Sequence, residues 1–99
     1  MPEFSNAFSG NKFDRKLTKD ELIRAIRFSI ASEFEAIQLY EQLKESIDDE
    51  CSKKVLEEIS QDEKVHVGNF NYLLEKLSPE DKKYSDEGRI EAKEIIDEK

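Results

Sequence analysis

Apolar residues recur along residues 18–48 at spacings of three, four and seven positions. These spacings place them on one face of an α-helix, because a helix completes a turn in about 3.6 residues. A capping box, Thr18 followed by Glu21, comes just before the first of them and predicts where the helix begins. We therefore expect a first helix from Thr18 to about Asp48. Its apolar stripe consists of Ile23, Ile26, Ile30, Ile37, Tyr40 and Ile47.

A short acidic segment, residues 48–52, separates this helix from a second apolar stripe. Acidic side chains favour the start of a helix, where the helix dipole is positive. Because the connection is short, the two helices are expected to form an antiparallel hairpin. The second stripe consists of Val55, Leu56, Ile59, Phe70, Leu73, Leu74 and Leu77.

The tetrapeptide Ser78-Pro79-Glu80-Asp81 ends the second helix and starts another. Serine caps helix N-termini, proline fits the first helical position, and acidic residues suit the first turn. Gly88 predicts an interruption, so the remainder is expected to form one or two helices with a weak apolar face.

Residues 1–17 show neither a helical nor an alternating period, and they contain the scattered phenylalanines Phe4, Phe8 and Phe13. Two interpretations stay open for this arm: disorder, or docking of the phenylalanines on a neighbouring chain. The pattern as a whole divides the chain into an N-terminal arm (1–17), a helical hairpin (18–78) and a C-terminal helical tail (79–99).

The composition supports an all-α protein that binds neither nucleic acid nor membrane. Charged residues make up 40% of the 99 residues, with three Gly, two Pro and no Trp, which is not the composition of a β-sandwich or a Rossmann unit. The formal net charge of −8 repels nucleic acid and anionic lipid. No stretch approaches the roughly 18 apolar residues of a transmembrane helix. The single cysteine, Cys51, is typical of a reducing compartment, so we expect a cytoplasmic protein.

Two carboxylates and an imidazole interrupt the apolar stripes. Glu33 occupies the gap in the first stripe, and Glu63 and His66 occupy the longest gap in the second. A buried carboxylate must be paired, protonated or bound to a metal, and no Lys or Arg shares this part of either stripe. Since Glu-x-x-His places a carboxylate and an imidazole on adjacent turns of one helix face, we expect the three residues to share a buried, metal-binding layer.

These three residues are half of the ligand set of ferritin-like di-iron bundles. Such bundles take one Glu from each of two helices and a Glu-x-x-His from each of the other two. A two-helix hairpin also cannot close a core alone. Dimerisation would complete both a four-helix bundle and a site with two iron positions. The oxygen and imidazole donors suit Fe(II), and they leave manganese and zinc open.

Several of these residues have plainer interpretations. His66 would alternatively be a core histidine, hydrogen-bonded to Glu63 or Tyr40. Tyr40, two turns after Glu33, either donates to a ligand carboxylate or is an ordinary core aromatic. Glu35 and Asp62 suit a solvated face, or a loose acidic path for Fe(II).

Residues 32–40 (SEFEAIQLY) and 62–66 (DEKVH) resemble the encapsulated ferritins, which are ferritin-like cargo proteins of encapsulin nanocompartments. The resemblance covers roughly residues 17–78. It implies a hairpin with a short C-terminal helix that dimerises into a four-helix bundle, and dimers that assemble into a ring, typically a decamer. It also implies that Glu33, Glu63 and His66 bind two iron ions at each dimer interface, with Tyr40 beside this catalytic centre. The implied activity is that of a ferroxidase, which oxidises Fe(II) to Fe(III) with O₂ and supplies mineral to an encapsulin shell.

Two departures from that family matter. Some members have an acidic residue at the position of Ser32 and a Trp at the position of Leu39. The resemblance therefore does not carry over an auxiliary iron-entry site built from the first of these positions, where only Glu35 keeps an acidic side chain. Residues 91–99 are a charged helical tail and not a Gly/Leu-rich targeting peptide. This leaves open whether a targeting peptide or a fused shell protein makes the link to the shell.

Two other functions stay open from the sequence. One is a rubrerythrin-like di-iron peroxidase, although Cys51 alone cannot build the rubredoxin-type site that usually delivers electrons. The other is a non-enzymatic helical oligomerisation module, in which the Glu and His layer is a hydrogen-bonded structural element.

Overall fold

A computed structural model describes residues 15–98 of the chain. In that range it contains three α-helices and no strand: α1 (Lys19–Glu45), α2 (Glu50–Leu77) and α3 (Pro79–Asp97). Helices α1 and α2 pack against each other as an antiparallel hairpin, and α3 packs on α2. The predicted all-α hairpin with a C-terminal helix is thus confirmed. The predictions for the phenylalanines of the arm lie outside the described residues.

The start of α1 is fixed by the predicted capping box. The Thr18 hydroxyl accepts the Glu21 backbone N–H at 3.2 Å, and the Glu21 carboxylate accepts the Thr18 backbone N–H at 2.9 Å. The Arg15 guanidinium donates two further hydrogen bonds to the same carboxylate. The Arg15 side chain and the Thr18 backbone lower the pKa of Glu21 to about 2. The chain that precedes α1 is therefore tied to the first turn of the helix.

Helix α1 ends at Glu45, three residues before the predicted end. Asp49 caps α2, and its carboxylate accepts the Ser52 backbone N–H at 3.0 Å. An N-cap residue needs an extended backbone, and Asp49 adopts φ −70° and ψ 112°. The chain must leave the first helix early enough to reach that conformation, which is why α1 stops short of the acidic segment.

Helix α3 begins as predicted, with Ser78 as its cap and Pro79 in the first turn. It then continues through Gly88, so the predicted interruption is wrong. No glycine in the described range has a positive φ, and ion pairs four residues apart support the helix on both sides of Gly88. The Arg27 guanidinium donates two hydrogen bonds, of 2.7 and 3.1 Å, to Asp81 and thereby links α1 to α3. None of the three helices combines the length and apolar character that crossing a membrane requires.

The hairpin buries little apolar surface within one chain. Among the described residues only Ile26, Ile37 and Val67 are buried apolar side chains. Two members of the predicted second stripe, Val55 (57% exposed) and Leu73 (41% exposed), face solvent. They were expected to pack in the hairpin, but they lie on a side of α2 that α1 does not cover. The single hairpin therefore leaves one side of its helix pair open.

Candidate metal centre

Glu33, Glu63 and His66 come together midway along the hairpin. The His66 Nδ1 atom lies 3.6 Å from the Glu33 Oε2 atom and 3.8 Å from the Glu63 Oε2 atom. One donor atom from each residue lies within 4.8 Å of the other two. Donor atoms bound at about 2.1 Å to one ion are separated by up to about 4 Å. Small side-chain adjustments would therefore bring all three atoms onto a single metal ion.

The Glu33 carboxylate is the strongest indication that something is bound here. Its side chain is 18% exposed, and its Oε2 atom is fully buried without a hydrogen-bond partner. Within residues 15–98, no lysine or arginine pairs with Glu33 or Glu63. Leaving a buried acceptor unsatisfied costs about 1–3 kcal/mol, and more when the group is charged. Two carboxylates and an imidazole are donors that fit a divalent metal such as Fe(II).

The burial of the cluster differs from the prediction at His66. Glu33 and Glu63 are largely shielded, as expected, but the His66 side chain is 49% exposed. The reason is its angular position, since His66 lies 60° further around α2 than Glu63 and away from α1. The three groups therefore form a cluster at the border of the hairpin instead of a layer inside it.

The other predicted site residues are not part of the cluster. Tyr40 is half-buried on α1, and its hydroxyl makes no hydrogen bond to any residue in the range 15–98. Glu35 and Asp62 are exposed and lie outside the cluster. The structure thus brings together the three predicted ligands and leaves the roles of these flanking residues as predictions.

One long edge of the hairpin, here called the closed edge, is bridged by ion pairs. Lys44 pairs with Glu57, and Lys64 pairs with Glu41 at 3.0 Å. The hydroxyl of Ser60, the most buried residue among those described, lies 3.5 Å from the same Glu41 carboxylate. The hydrogen bond from Lys44 lowers the pKa of Glu57. Every charged group in this set therefore has a partner on the facing helix.

The opposite long edge, here called the open edge, carries the metal-site cluster. On α2, His66 is nine residues from Glu57, which is half a turn around the helix. Val55 and Leu73 are eleven and seven residues from His66, so all three share one face of the helix. The two exposed apolar side chains therefore flank the cluster on the edge where, within residues 15–98, no lysine or arginine bridges α1 and α2.

An apolar groove lies at the turn end of the hairpin, and we call it the tip groove. Both helices contribute to it. Its lining residues are Leu43, Ile47, Cys51, Ser52, Val55 and Leu56. The sequence analysis missed it, although Val55 stands three helical turns from His66 on the same face. That spacing was the available signal for an apolar surface continuous with the site.

The fold and the metal-site cluster together define the class of protein to which the chain belongs. A helical hairpin with one Glu and one Glu-x-x-His at mid-length is half of a ferritin-like bundle. The family model described as Rubrerythrin matches residues 25–98. The crystal structure of the encapsulated ferritin domain from Pyrococcus furiosus is similar with a TM-score of 0.81 and 38% identity, over 88% of this chain and 89% of that chain. The chain therefore belongs to the rubrerythrin family of ferritin-like proteins, and within it to the encapsulated ferritins.

Two longer relatives are also similar in sequence. The Ferritin-like-encapsulin shell fusion protein of Pyrococcus furiosus is 40% identical over 82 residues, which are 83% of this chain and 24% of that protein. The Encapsulin nanocompartment cargo protein EncC of Myxococcus xanthus is 38% identical over 66 residues, which are 67% of this chain and 51% of that protein. The matched segment thus spans about a quarter of the first relative and half of the second.

Proposed function

We propose that this protein is a ferroxidase, which oxidises Fe(II) to Fe(III) with O₂ at a di-iron centre formed between two subunits. The observation that carries the proposal is the buried, unpartnered Oε2 atom of Glu33, beside the Glu63 carboxylate and the His66 imidazole. Fe(II) is the substrate of this reaction. Two Fe(II) ions give up one electron each, and O₂ takes up these two electrons and two protons to become hydrogen peroxide. Reduction of O₂ to two water molecules requires four Fe(II) ions and four protons.

The ligand set explains why such a site would favour oxidation. Carboxylates stabilise Fe(III) more than Fe(II), because their negative charge interacts more strongly with the higher cation charge. Glu33, Glu63 and His66 supply only three donors to an ion that accepts more, so positions remain for a second ion's bridging ligand and for the oxidant. Tyr40, two turns from Glu33, is proposed to stand beside this centre.

A second copy of the chain is proposed to supply the other half of the ligand set. The single hairpin has few buried apolar side chains, and its open edge exposes Val55 and Leu73 beside the cluster. Pairing two open edges would bury these side chains and bring two sets of Glu33, Glu63 and His66 together. A ring of such dimers, ten chains in all, is the assembly that the family resemblance implies.

The names of the relatives support a location for this activity. One relative is named as a fusion with an encapsulin shell, and the other as a nanocompartment cargo protein. We propose that this chain works in the cytoplasm inside an encapsulin nanocompartment, with the shell protein as its partner. The Fe(III) product would be stored as mineral in the interior of the shell.

A rubrerythrin-like peroxidase is the second candidate, because the matching family model carries that name. It would transfer electrons from iron to hydrogen peroxide and would require an external electron donor. Turnover of peroxide with a donor protein, faster than aerobic Fe(II) oxidation, would favour this function over the first.

The test is aerobic Fe(II) oxidation, followed by absorbance, for the wild-type chain, Glu63→Ala and a blank without protein. Glu58→Ala is the matched control, because Glu58 is an exposed carboxylate on the same helix and lies outside the cluster. We expect oxidation above the blank for the wild type and Glu58→Ala, and none above the blank for Glu63→Ala. Equal rates for all three proteins would overturn the proposed site, provided that circular dichroism shows each variant to be folded.

A further inference from the structure

The tip groove is an apolar surface that no residue in the range 15–98 covers. Leu43 and Val55, on its two helices, are 45% and 57% exposed. The groove continues the open edge, because Val55 shares a face of α2 with His66. Whatever occupies it must approach from the side where the proposed dimer partner lies.

The height of the metal-site cluster is compatible with a partner hairpin that runs in the opposite direction along its full length. Glu33 is fourteen residues from the first residue of α1 and twelve from the last, and Glu63 is thirteen and fourteen residues from the ends of α2. Both carboxylates thus lie at the middle of their helices. A two-fold axis through the cluster and perpendicular to the helices then overlaps two hairpins along their whole length. An axis parallel to the helices would also accept a central site, so the perpendicular axis is part of the proposal and is tested with it.

In that arrangement the tip of one hairpin lies beside the start of α1 of the other. Cys51 in the tip groove is twelve residues from Glu63, or about 18 Å along the helix axis at 1.5 Å per residue. Lys19, the first residue of α1, is about 21 Å from Glu33 in the opposite direction along the hairpin. The two-fold axis reverses these directions, so both points come to about the same height.

The segment that precedes α1 is therefore the one placed to reach the groove. We propose that the tip groove of one protomer binds the N-terminal arm of its partner, through Phe13 and Phe8. This inference rests on the dimer of the proposed function. Arg15 is held at the first turn of α1 by its hydrogen bonds to Glu21. Phe13 lies two residues beyond Arg15, so its backbone reaches about 7 Å further and its ring beyond that, whereas packed helices lie about 10 Å apart. The groove of its own chain is about 40 Å away, beyond the reach of Phe13.

The charges around the two partners are complementary. The arm around Phe13 carries three basic residues, Lys12, Arg15 and Lys16, against one acidic residue, Asp14, while the turn that borders the groove is acidic. Its acidic residues are Glu45, Asp48, Asp49 and Glu50. An aromatic side chain in a segment with a net positive charge thus matches an apolar groove that adjoins an acidic turn, which favours this contact over a random one.

The test uses Cys51, the single cysteine of the chain, which lines the groove and is exposed. A full-length chain with Phe13→Cys and Cys51→Ser is co-expressed with a differently tagged wild-type chain and oxidised mildly. The two unlike chains can then join only through the introduced cysteine at position 13 and Cys51. We expect a covalent heterodimer on a non-reducing gel, with that disulfide identified by mass spectrometry. A variant with Phe8→Cys and Cys51→Ser provides a second reporter.

The matched control carries Gln61→Cys and Cys51→Ser, which places the new thiol on an exposed position of the closed edge. A heterodimer yield for both arm variants no higher than for this control would overturn the docking. So would an intramolecular disulfide in the single variant Phe13→Cys, because the arm would then occupy the groove of its own chain.

Light scattering and Fe(II) oxidation on the same preparations separate the two proposals. An active dimer without the disulfide overturns only the docking, whereas a monomer overturns the proposed dimer and the docking with it.

Discussion

The closed and open edges of the hairpin join the same two helices in different ways. On the closed edge, Lys44, Glu57, Glu41 and Lys64 pair across the helices, and each charge has a partner within the chain. On the open edge, the Glu33 carboxylate has a fully buried oxygen without a partner, and the neighbouring His66 is half exposed. The charged groups of the closed edge are paired within the chain, whereas the open edge is the one that we propose a metal ion and a second chain complete.

The difference between the two edges separates the contacts that stabilise the hairpin from the groups that we propose to act in its function. Ion pairs on a partly exposed edge contribute little individually, but they need nothing from outside the chain. A buried carboxylate without a hydrogen-bond partner destabilises the fold until something binds it, so its position on the apolar stripe is expected at a functional site. The comparison predicts that the two edges respond in opposite ways to the same kind of substitution.

The largest expected effect comes from replacing the unpartnered carboxylate with an apolar side chain. Glu33→Leu should reduce the rate of Fe(II) oxidation by more than about 100-fold, because it removes a proposed ligand. In metal-free solution the same variant should be more stable than the wild type by about 1–3 kcal/mol, since the cost of the unsatisfied oxygen disappears. Oxidation assays and urea unfolding in the presence of a chelator measure the two effects.

The matched variant is Glu41→Leu, which removes a carboxylate of the closed edge from the same helix. It should leave the oxidation rate unchanged and give no gain in stability, because Lys64 and Ser60 lose their partner. A gain in stability for Glu41→Leu equal to that for Glu33→Leu would mean that the two edges do not differ in the proposed way.

A smaller effect is expected on assembly. Ligands from two chains couple iron binding to association, so Fe(II) under anaerobic conditions should strengthen the dimer about tenfold or more relative to chelator. His66→Ala should lose most of this response. Sedimentation equilibrium with and without Fe(II) provides the measurement, and Gln61→Ala on the closed edge is the control. Equal Fe(II) responses in the wild type and His66→Ala would count against ligation by His66.

The smallest expected effect is on the stability of the fold at low pH. The hydrogen bonds from Arg27 and Ser78 lower the pKa of Asp81, as the bond from Lys44 lowers that of Glu57. A carboxyl with a depressed pKa in the folded state stabilises the protein above its unfolded pKa, about 4, and this contribution is lost as the pH falls through the lower folded value. Asp81→Asn should therefore lower the melting temperature by a few degrees at pH 7, by about 4 °C or less.

The difference between Asp81→Asn and the wild type should shrink as the pH falls through the lowered pKa of Asp81 in the folded protein, because the wild-type carboxyl then becomes protonated as well. Melting curves from pH 7 to pH 2 test this directly. A difference that stays constant over the whole range would mean that Asp81 acts through packing and not through its charge.

Local signals in the sequence were sufficient for the helix starts. The capping residues Thr18, Asp49 and Ser78 bond to backbone groups only three residues away, so a short stretch of sequence is enough to recognise them. The continuity of α3 was not predictable in the same way. Gly88 lowers helix propensity by about 1 kcal/mol, and the pairs Lys82–Asp86 and Lys93–Asp97 help the helix to continue through it.

The sequence by itself determined which residues form the candidate site. Glu33, Glu63 and His66 stand on apolar stripes, and helical periodicity is enough to bring side chains of one face into line. Only the tertiary structure decided that the site lies on one edge, that His66 is half exposed, and that Val55 and Leu73 are uncovered. Burial depends on which sector of each helix faces the other. That rotation is set by contacts between residues far apart in the chain, such as Glu41 with Lys64 and Arg27 with Asp81.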